Sequence, residues 1–465
     1  MFLYNNLFVR ICLKAVVFLL CCSGVVSVYA APLSDTMAVA SSVQNAGLEN
    51  AVQTNLSWAG YGQYTNTYQW HPAFTSPYSG VNSLYSGNSG DQTNDATLYL
   101  GCRFSPGMEF WVNPEYDQGF GLSNTLGVAG FPSGEAYKAG MDNPYYRLQR
   151  MFFRDTINLG GAEEETDAQI NQMAGKHTHN NVVLTIGKFS VVDVFDTNSY
   201  SHDPRTDFLN WSIIDGGAFD YAADAWGYSY GASVEWTQDW WTFRGGVFDF
   251  STVPNSEKLT QNLSQYQLVT EMELRDHWRG FPGKLKVLAF LNHTRMGSYS
   301  QATQLAAQTG SIPNTALVRE MNWRPGVELN LEQALGEGLG VFGRFSANDG
   351  ALETYDTEIN QSVSTGFSLQ GEQWGRSQDK IGVALAVNRL SHAARDYFAA
   401  GGMGLLIGDG QLPYYANEAI TEMYYSWAIN MHLDMSIDYQ HIANPAYNPQ
   451  RGPVEVFGVR THVMF

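Results

Sequence analysis

A stretch of polar and aromatic side chains between residues 193 and 211 has the chemistry of a sugar-binding surface. Planar charged and amide groups form hydrogen bonds with sugar hydroxyls, and the faces of sugar rings pack on aromatic rings. We therefore expect this stretch to form one wall of a constriction that contacts a solute. The alternative is an ordered lid whose charges pair with neighbouring loops. The nine candidate residues are Asp193, Asp196, Asn198, Tyr200, His202, Asp203, Arg205, Asp207 and Trp211.

Two predicted strands flank this stretch and must position it. Residues 182–191 precede it, and residues 224–236 follow a loop that is predicted to span 193–224. In the second strand, large or apolar side chains occupy every second position and alternate with small or polar ones, which is the period of a β-strand. A large apolar face opposite a polar face is typical of a strand with lipid on one side and water on the other. The residues of the apolar face are Trp226, Tyr228, Tyr230, Ala232, Val234 and Trp236.

The same alternation recurs along the chain and predicts an all-β fold, a transmembrane antiparallel β-barrel of about sixteen strands. In one of the clearest examples, Val327, Leu329 and Leu331 alternate with polar residues. The predicted strands are 56–66, 96–104, 108–116, 147–157, 182–191, 224–236, 239–250, 265–275, 284–295, 323–332, 339–347, 362–371, 379–389, 419–430, 431–442 and 454–465.

The lengths of the connections favour a barrel of the outer-membrane type. Links after odd-numbered strands are mostly long, whereas most of the others are short turns such as Ser105-Pro106-Gly107. Outer-membrane barrels have this asymmetry, with short periplasmic turns and long extracellular loops. The link at 158–181 is long on the periplasmic side, which predicts either a small helix there or a misplaced fourth strand. The arginines of that fourth strand, Arg147, Arg150 and Arg154, also fit a helical spacing.

Aromatic residues support the same orientation. The last strand ends in a phenylalanine after strict alternation, the pattern that outer-membrane barrels present to their assembly machinery: Phe457, Val459, Thr461, Val463 and Phe465. Trp236, Trp240 and Trp241 lie at one predicted periplasmic turn, where an interfacial aromatic belt is expected.

Charged residues that are predicted to face the lumen supply further candidates for the constriction. Most such charges are expected only to hydrate the lumen and to pair with each other, because polar lumens are general to barrels of this size. Arg103, Glu115 and Arg244 are added to the nine loop residues as candidates for contact with the solute.

The start of the chain predicts export. Arg10 and Lys14 accompany an apolar run that ends at Val28-Tyr29-Ala30, so residues 1–30 are expected to be a cleaved signal peptide. Lipid attachment at Cys21 or Cys22 is an alternative route of processing. Residues 31–55 are interpreted as a polar periplasmic lead-in, and residues 56–465 as the barrel domain.

The charge of the chain excludes one class of function. Its net charge is −19 at pH 7, and loss of the two basic residues of the signal would leave −21. This charge opposes binding to nucleic acid, which requires basic surfaces. Three of the four cysteines lie in the signal, so Cys102 cannot form an internal disulfide in the mature chain and is interpreted as a packing residue.

Motifs for catalysis or cofactor binding are missing from the sequence. It has no phosphate-binding or dinucleotide fingerprint, no paired-cysteine or His-Glu metal motif and no nucleophile elbow, so we predict no cofactor, no resident metal and no enzymatic activity. His177 and His179 could touch a metal, but solvated histidines in a polar turn are the favoured interpretation. An outer-membrane hydrolase with an acid and a histidine at the barrel mouth is kept as an alternative.

Ordered short motifs run through nearly all of the mature sequence. They include Asn113-Pro114-Glu115, Gly119-Phe120-Gly121-Leu122-Ser123, Gly187-Lys188-Phe189-Ser190-Val191, His202-Asp203-Pro204-Arg205, Asp220-Tyr221-Ala222-Ala223-Asp224, Pro282-Gly283-Lys284 and Asn444-Pro445-Ala446-Tyr447-Asn448. In this order they resemble the OprB-type carbohydrate-selective porins of Gram-negative outer membranes. Ser57-Trp58-Ala59-Gly60-Tyr61 departs from the Gly-Asp-Trp-Gly-Gly-type segment that often opens the mature chain in that family.

The resemblance implies a sixteen-stranded barrel in the outer membrane that lets monosaccharides and similar small polar solutes diffuse inward through a narrow eyelet of arginines and facing acids. Its expected partners are sugar solutes, outer-membrane lipid and the barrel-assembly machinery, with a monomer or a trimer as the assembled form. A general, non-selective porin is the nearest alternative.

Overall fold

The computed structural model describes residues 57–465, which form a closed antiparallel barrel of sixteen strands. Each strand pairs with its neighbours in sequence, and the first strand pairs with the last. Closure leaves no free sheet edge, so every strand can satisfy its backbone hydrogen bonds inside the barrel wall. The predicted signal peptide and periplasmic lead-in lie outside the described residues.

All sixteen strands overlap the predicted ones. They are β1 (Ser57–His71), β2 (Ser89–Ser105), β3 (Met108–Gly119), β4 (Met141–Thr166), β5 (Gly175–Phe189), β6 (Ser229–Gln238), β7 (Trp241–Asp249), β8 (Tyr266–Trp278), β9 (Phe281–Gly297), β10 (Arg319–Gly336), β11 (Leu339–Asn348), β12 (Gln361–Gly371), β13 (Arg376–Arg389), β14 (Glu418–Asn430), β15 (Leu433–Ala443) and β16 (Val454–Met464).

Helices are few and lie in the long loops. They are α1 (Trp211–Ile214), α2 (Tyr299–Thr309) and α3 (His392–Ala399). Short 3-10 turns lie at Val191–Asp193, Thr315–Val318 and Pro445–Tyr447 in these loops, and at Glu372–Trp374 in the short turn between β12 and β13. Among residues 57–465, no helix is both long enough and apolar enough to cross a membrane.

The register of the wall follows the predicted alternation. Val327, Leu329 and Leu331 of β10 are about half exposed on the outer surface, whereas Glu328 and Asn330 between them are buried in the lumen. At the closing seam, the backbones of Gly62 and Phe465 exchange hydrogen bonds of 2.7 and 2.9 Å, so the terminal phenylalanine is part of the junction between β1 and β16. The side chains of Trp236 and Trp241 meet edge to face at 5.3 Å beside the β6–β7 turn.

The prediction for residues 158–181 was wrong. Neither a helix nor a misplaced strand is found there, because β4 continues to Thr166 and β5 begins at Gly175, leaving a turn at 167–174. The helical spacing of the arginines in β4 has another cause. Arg150 pairs with Asn113 and Leu148 pairs with Pro114, so one extra residue in β4 forms a β-bulge that changes the alternation.

The sixth strand is shorter than predicted, and its first two aromatic residues face inward. β6 begins at Ser229, and Trp226 and Tyr228 are buried in the lumen instead of facing lipid. The Asp224 carboxylate accepts hydrogen bonds from the backbone N–H groups of Trp226 (3.0 Å) and Tyr228 (3.3 Å). Gly227 takes a left-handed backbone (φ +90°), so the chain turns before it joins the wall. Tyr230 and Trp236 do face outward, as predicted.

The buried core of the barrel lies inside the lumen, where inward-folded loops pack against the wall. One cluster surrounds Trp111, Phe195 and Phe248, and another surrounds Phe208 and Tyr424. This packing fixes the loops that carry the candidate site.

Candidate solute constriction

The loop of residues 190–228, between β5 and β6, enters the lumen and is fixed to the far wall. The Asp196 carboxylate accepts hydrogen bonds from Arg344 of β11 (2.8 Å), from Asn330 of β10 (2.6 Å) and from the backbone of Gly216 (2.7 Å). All of these groups are buried, and buried charge pairs with full hydrogen bonding hold a definite geometry.

A second loop, residues 120–140, packs against the first one. Glu418 of β14 accepts backbone hydrogen bonds from Ala129 (3.0 Å) and Gly130 (2.7 Å), while Glu422 of the same strand binds the backbone of Leu209 and Asn210. Together the two loops fill the side of the lumen next to β10–β14. The open space therefore lies on the opposite side, along β1–β5.

Two cavities occupy this open side. The one toward the extracellular loops has a volume of about 390 Å³, and the one toward the periplasmic turns has about 290 Å³. Four residues line both cavities: Arg150, Asp193, Asp203 and Arg205. These four residues lie where the two cavities adjoin, and we refer to them as the passage residues.

Arg150 and Asp193 form a closed ion pair at the passage. The Arg150 guanidinium donates two hydrogen bonds to the Asp193 carboxylate, at 2.7 and 2.6 Å. Burial would raise the pKa of Asp193, but Arg150 and the backbone N–H of Ser190 outweigh burial and hold that pKa below its ordinary value. Both oxygens of Asp193 are therefore already committed, and the pair forms a fixed charged wall.

Arg205 differs from Arg150, because its guanidinium lies near several carboxylates without forming a hydrogen bond to them. Its guanidinium lies 3.6 to 3.9 Å from the carboxylates of Asp95, Glu135 and Asp203, and no hydrogen bond of its side chain is found within residues 57–465. Three acids thus hold the charge of Arg205 in position while leaving its N–H donors available. The Asp203 side chain is 46% exposed, so an acceptor faces the passage beside these donors. Burial raises the pKa of Asp203, whereas the charge and the backbone N–H of Arg205 lower it. The lowering effects prevail, and the net pKa is below its ordinary value.

Aromatic rings line the extracellular cavity. Trp211 stacks on Phe131 of the second loop, with ring centroids 5.0 Å apart, and Arg147 lies 3.3 Å above the centre of the Trp226 ring. His202 faces the same cavity with its Nδ1 3.2 Å from Asp215. Burial lowers the pKa of His202, but Asp215 raises it, and the net pKa is above its ordinary value.

The other loop candidates lie away from both cavities. Asp196 belongs to the anchor described above, and Asn198 donates to Asn330 at 2.7 Å. Asp207 pairs with Lys380 of β13 at 2.8 Å, and Tyr200 packs in the apolar cluster around Phe208. Four of the nine loop candidates therefore fix the loop to the wall or pack beneath it. The other five line a cavity: Asp193, His202, Asp203, Arg205 and Trp211.

The three wall candidates are dispersed. Glu115 is fully buried and accepts a hydrogen bond from Thr97 at 2.6 Å. Arg244 is bound by Glu235, Glu271 and Glu273 within 3.0 Å, on the wall beyond the first loop. Arg103 lies at the periplasmic end and pairs with Glu109 at 2.5 Å. None of the three lines either cavity.

The passage residue that sequence reasoning missed is Arg150. The bulge at Gln149 lets Arg147 and Arg150, three positions apart, share the lumen face, which simple alternation forbids. The usable signal was Pro114 opposite the bulge, because proline cannot donate to a regular ladder and in sheets marks edges or bulges.

A closed sixteen-stranded antiparallel barrel, with loops folded into its lumen, defines the structural class of the porins. Within that class the family model "Carbohydrate-selective porin, OprB family" matches residues 82–465. The chain belongs to this family, whose members are channels. The family and the fold imply a location in the outer membrane.

Known porins are similar to this chain at low sequence identity. The chain is 22% identical to Porin AaxA of Chlamydia abortus over 77% of its own length and 70% of the relative's. It is 20% identical to Porin AaxA of Chlamydia felis over 77% and 71% of the two lengths. The chain also superposes on the high-pH structure of Pseudomonas putida OprB with a TM-score of 0.67 at 14% identity. The match covers 88% of this chain and 94% of the OprB chain, and it supports the fold.

Proposed function

We propose that the passage residues form the selectivity constriction of this porin, through which monosaccharides and similar small neutral polyols diffuse passively. The observation that carries the proposal is the guanidinium of Arg205, which is held by charge yet forms no hydrogen bond in the described chain. A sugar hydroxyl could accept from Arg205 and donate to Asp203. Each contact would replace part of the solute's hydration shell.

The charge arrangement favours a neutral solute with many hydroxyls. Arginine and aspartate face each other across a short distance, so the passage carries local charges of both signs. Such a field orients dipolar groups, whereas an ion of either sign meets repulsion from one side. The aromatic rings of Trp211 and Phe131 offer a surface at the cavity wall on which a sugar ring could pack.

The transport step that we propose needs neither a cofactor nor a covalent intermediate, and we assign no catalytic role to His202 and Asp215. We further propose that a signal peptide at residues 1–30 directs export, and that the assembly machinery inserts the barrel into outer-membrane lipid. A monomer or a trimer is the expected assembled form.

Sugar block of single-channel current tests the proposal. We expect monosaccharides to reduce the current of the wild-type channel in a saturable manner, and Arg205→Gln to weaken this block roughly three-fold or more, since a hydrogen bond to a charged group contributes about 1.5–3 kcal/mol before offsets. The control is Arg279→Gln at the exposed β8–β9 turn, which lines neither cavity. Equal rates of liposome swelling for sugars and for other solutes of the same size, with no sugar block, would instead identify a general porin.

A further inference from the structure

The turn between β4 and β5 differs from the other periplasmic turns of the described barrel. It spans eight residues, 167–174, whereas the other six span two to four. A barrel needs only a short turn to join neighbouring strands at this end. The turn therefore carries four to six residues more than a barrel needs at this position.

The additional residues form a miniature hairpin that enters the lumen from below. Gln169 and Gln172 exchange backbone hydrogen bonds of 3.0 Å in both directions, leaving Ile170 and Asn171 at the tip. Asn171 takes a left-handed backbone (φ +57°), which asparagine tolerates well. Both tip residues line the periplasmic cavity, together with Arg150 and Arg205 of the passage. A solute that leaves the passage therefore meets this tip next.

The wall fixes the hairpin in this position. Arg103 donates hydrogen bonds to the carbonyl groups of Met173 (3.0 Å) and Ala174 (2.7 Å), and Arg154 donates to the carbonyl group of Asn171 (2.7 Å). The Met173 side chain is buried in the apolar cluster around Trp111. These contacts come from β2, from β4 and from the apolar cluster, and they give Arg103 a role in supporting the hairpin.

The tip offers hydrogen-bonding groups that the protein itself leaves unused. The Oδ1 atom of Asn171 and the Nε atom of Arg154 are buried, and neither has a hydrogen-bond partner in the described residues. Both residues line the periplasmic cavity, so an unpaired acceptor and an unpaired charged donor lie within its wall. Buried polar groups without a partner are costly, and a polyhydroxy solute can satisfy both.

We propose that Ile170 and Asn171, with Arg154, form a second solute-contact site below the constriction, which binds sugar hydroxyls on the exit path and limits the size of the solutes that leave. This inference rests on the proposed function of the passage. The hairpin thus provides the second of two contact sites in series, so that a solute binds first to the passage residues and then to the polar groups of the hairpin.

The first test is Asn171→Gly, which removes the amide and keeps the left-handed backbone accessible. We expect the dissociation constant from sugar block to rise roughly two- to ten-fold, the range that one neutral hydrogen bond contributes, with little change in ion conductance. The control is Asn444→Gly, an identical substitution at a left-handed asparagine that lines neither cavity.

The second test replaces residues 167–174 by Asn-Gly, with the same replacement of residues 372–375 as its control. We expect the first replacement alone to raise single-channel conductance and to raise disaccharide swelling rates relative to monosaccharide rates. If the shortened barrel fails to assemble, Asn171→Gly decides the matter. Wild-type sugar block that Asn171→Gly leaves unchanged overturns this inference alone, whereas a wild-type channel without sugar block overturns the proposed function and this inference with it.

Discussion

The guanidinium of Arg344 donates to the carboxylate of Asp196 at 2.8 Å, and both side chains are fully buried between the barrel wall and the loop that enters the lumen. Arg344 belongs to β11 and Asp196 to the loop after β5, so the contact joins segments 148 residues apart. It ties the candidate constriction to the wall opposite the passage.

Removal of this anchor should loosen the constriction. Asp196→Ala leaves Arg344 buried without its main partner, and breaking such a pair costs about 3–5 kcal/mol. We expect a larger and noisier single-channel conductance together with weaker sugar block, in a barrel that still migrates as heat-modifiable. Asp207→Ala is the matched comparison, because its partner Lys380 is partly exposed. Identical effects of the two substitutions would contradict a special role for the Asp196 anchor.

Ion selectivity should depend on Asp356 between pH 7 and pH 9. This residue lies in the loop between β11 and β12 and lines the extracellular cavity. Burial raises the pKa of its carboxyl group to about 8, although Arg324 opposes that shift. The group is therefore mostly neutral at pH 7 and becomes negative above pH 8, so the permeability of cations relative to anions should increase as the pH rises. Reversal potentials in a salt gradient measure this ratio, and Asp356→Asn should remove the increase.

The outward register of β10 makes a prediction about folding. Leu329 is exposed on the outer face in the middle of the strand, so arginine there should destabilise the barrel by roughly 2–4 kcal/mol, the cost of a cation facing the lipid midplane. Neighbouring Asn330 is an unsuitable control, because its amide binds Asp196 and Asn198 and an arginine would displace the loop. Gln63 lines the periplasmic cavity, and Gln63→Arg should be much milder. Unfolding titrations in lipid vesicles that give equal losses for both variants would refute the register.

The terminal phenylalanine should matter for assembly. Its backbone completes the seam with Gly62, and its ring lies over that glycine on β1. Deletion of Phe465 should reduce the amount of heat-modifiable barrel in the outer membrane while leaving export unchanged, since residues 1–30 are intact. Wild-type amounts of assembled barrel in the deletion variant would show that the residue is dispensable.

The number and position of the strands could be predicted from the sequence because lipid and water impose a local, residue-by-residue alternation. Val327, Leu329 and Leu331 illustrate this, since each follows the rule without reference to any distant residue. The same local rule failed at Trp226 and Tyr228. There the apolar side chains pack against an inner surface formed by loops, and alternation alone cannot distinguish burial against that surface from contact with lipid.

The composition of the site could also be predicted from the sequence, since the loop at 193–211 concentrates acids, an arginine and aromatic rings that line the cavities. The geometry of the site could not be predicted in this way. Only the tertiary structure separates Asp196, which is committed to Arg344, from Asp203, which faces open space, because the difference depends on a partner far away in the chain. Arg150 became a passage residue through a single extra residue at the β3–β4 pairing, and the turn at 167–174 reached the lumen through contacts with Arg103 and Arg154. Alternation within a strand is a short-range consequence of solvent, whereas the pairing of buried charges depends on which segments the closed barrel brings together.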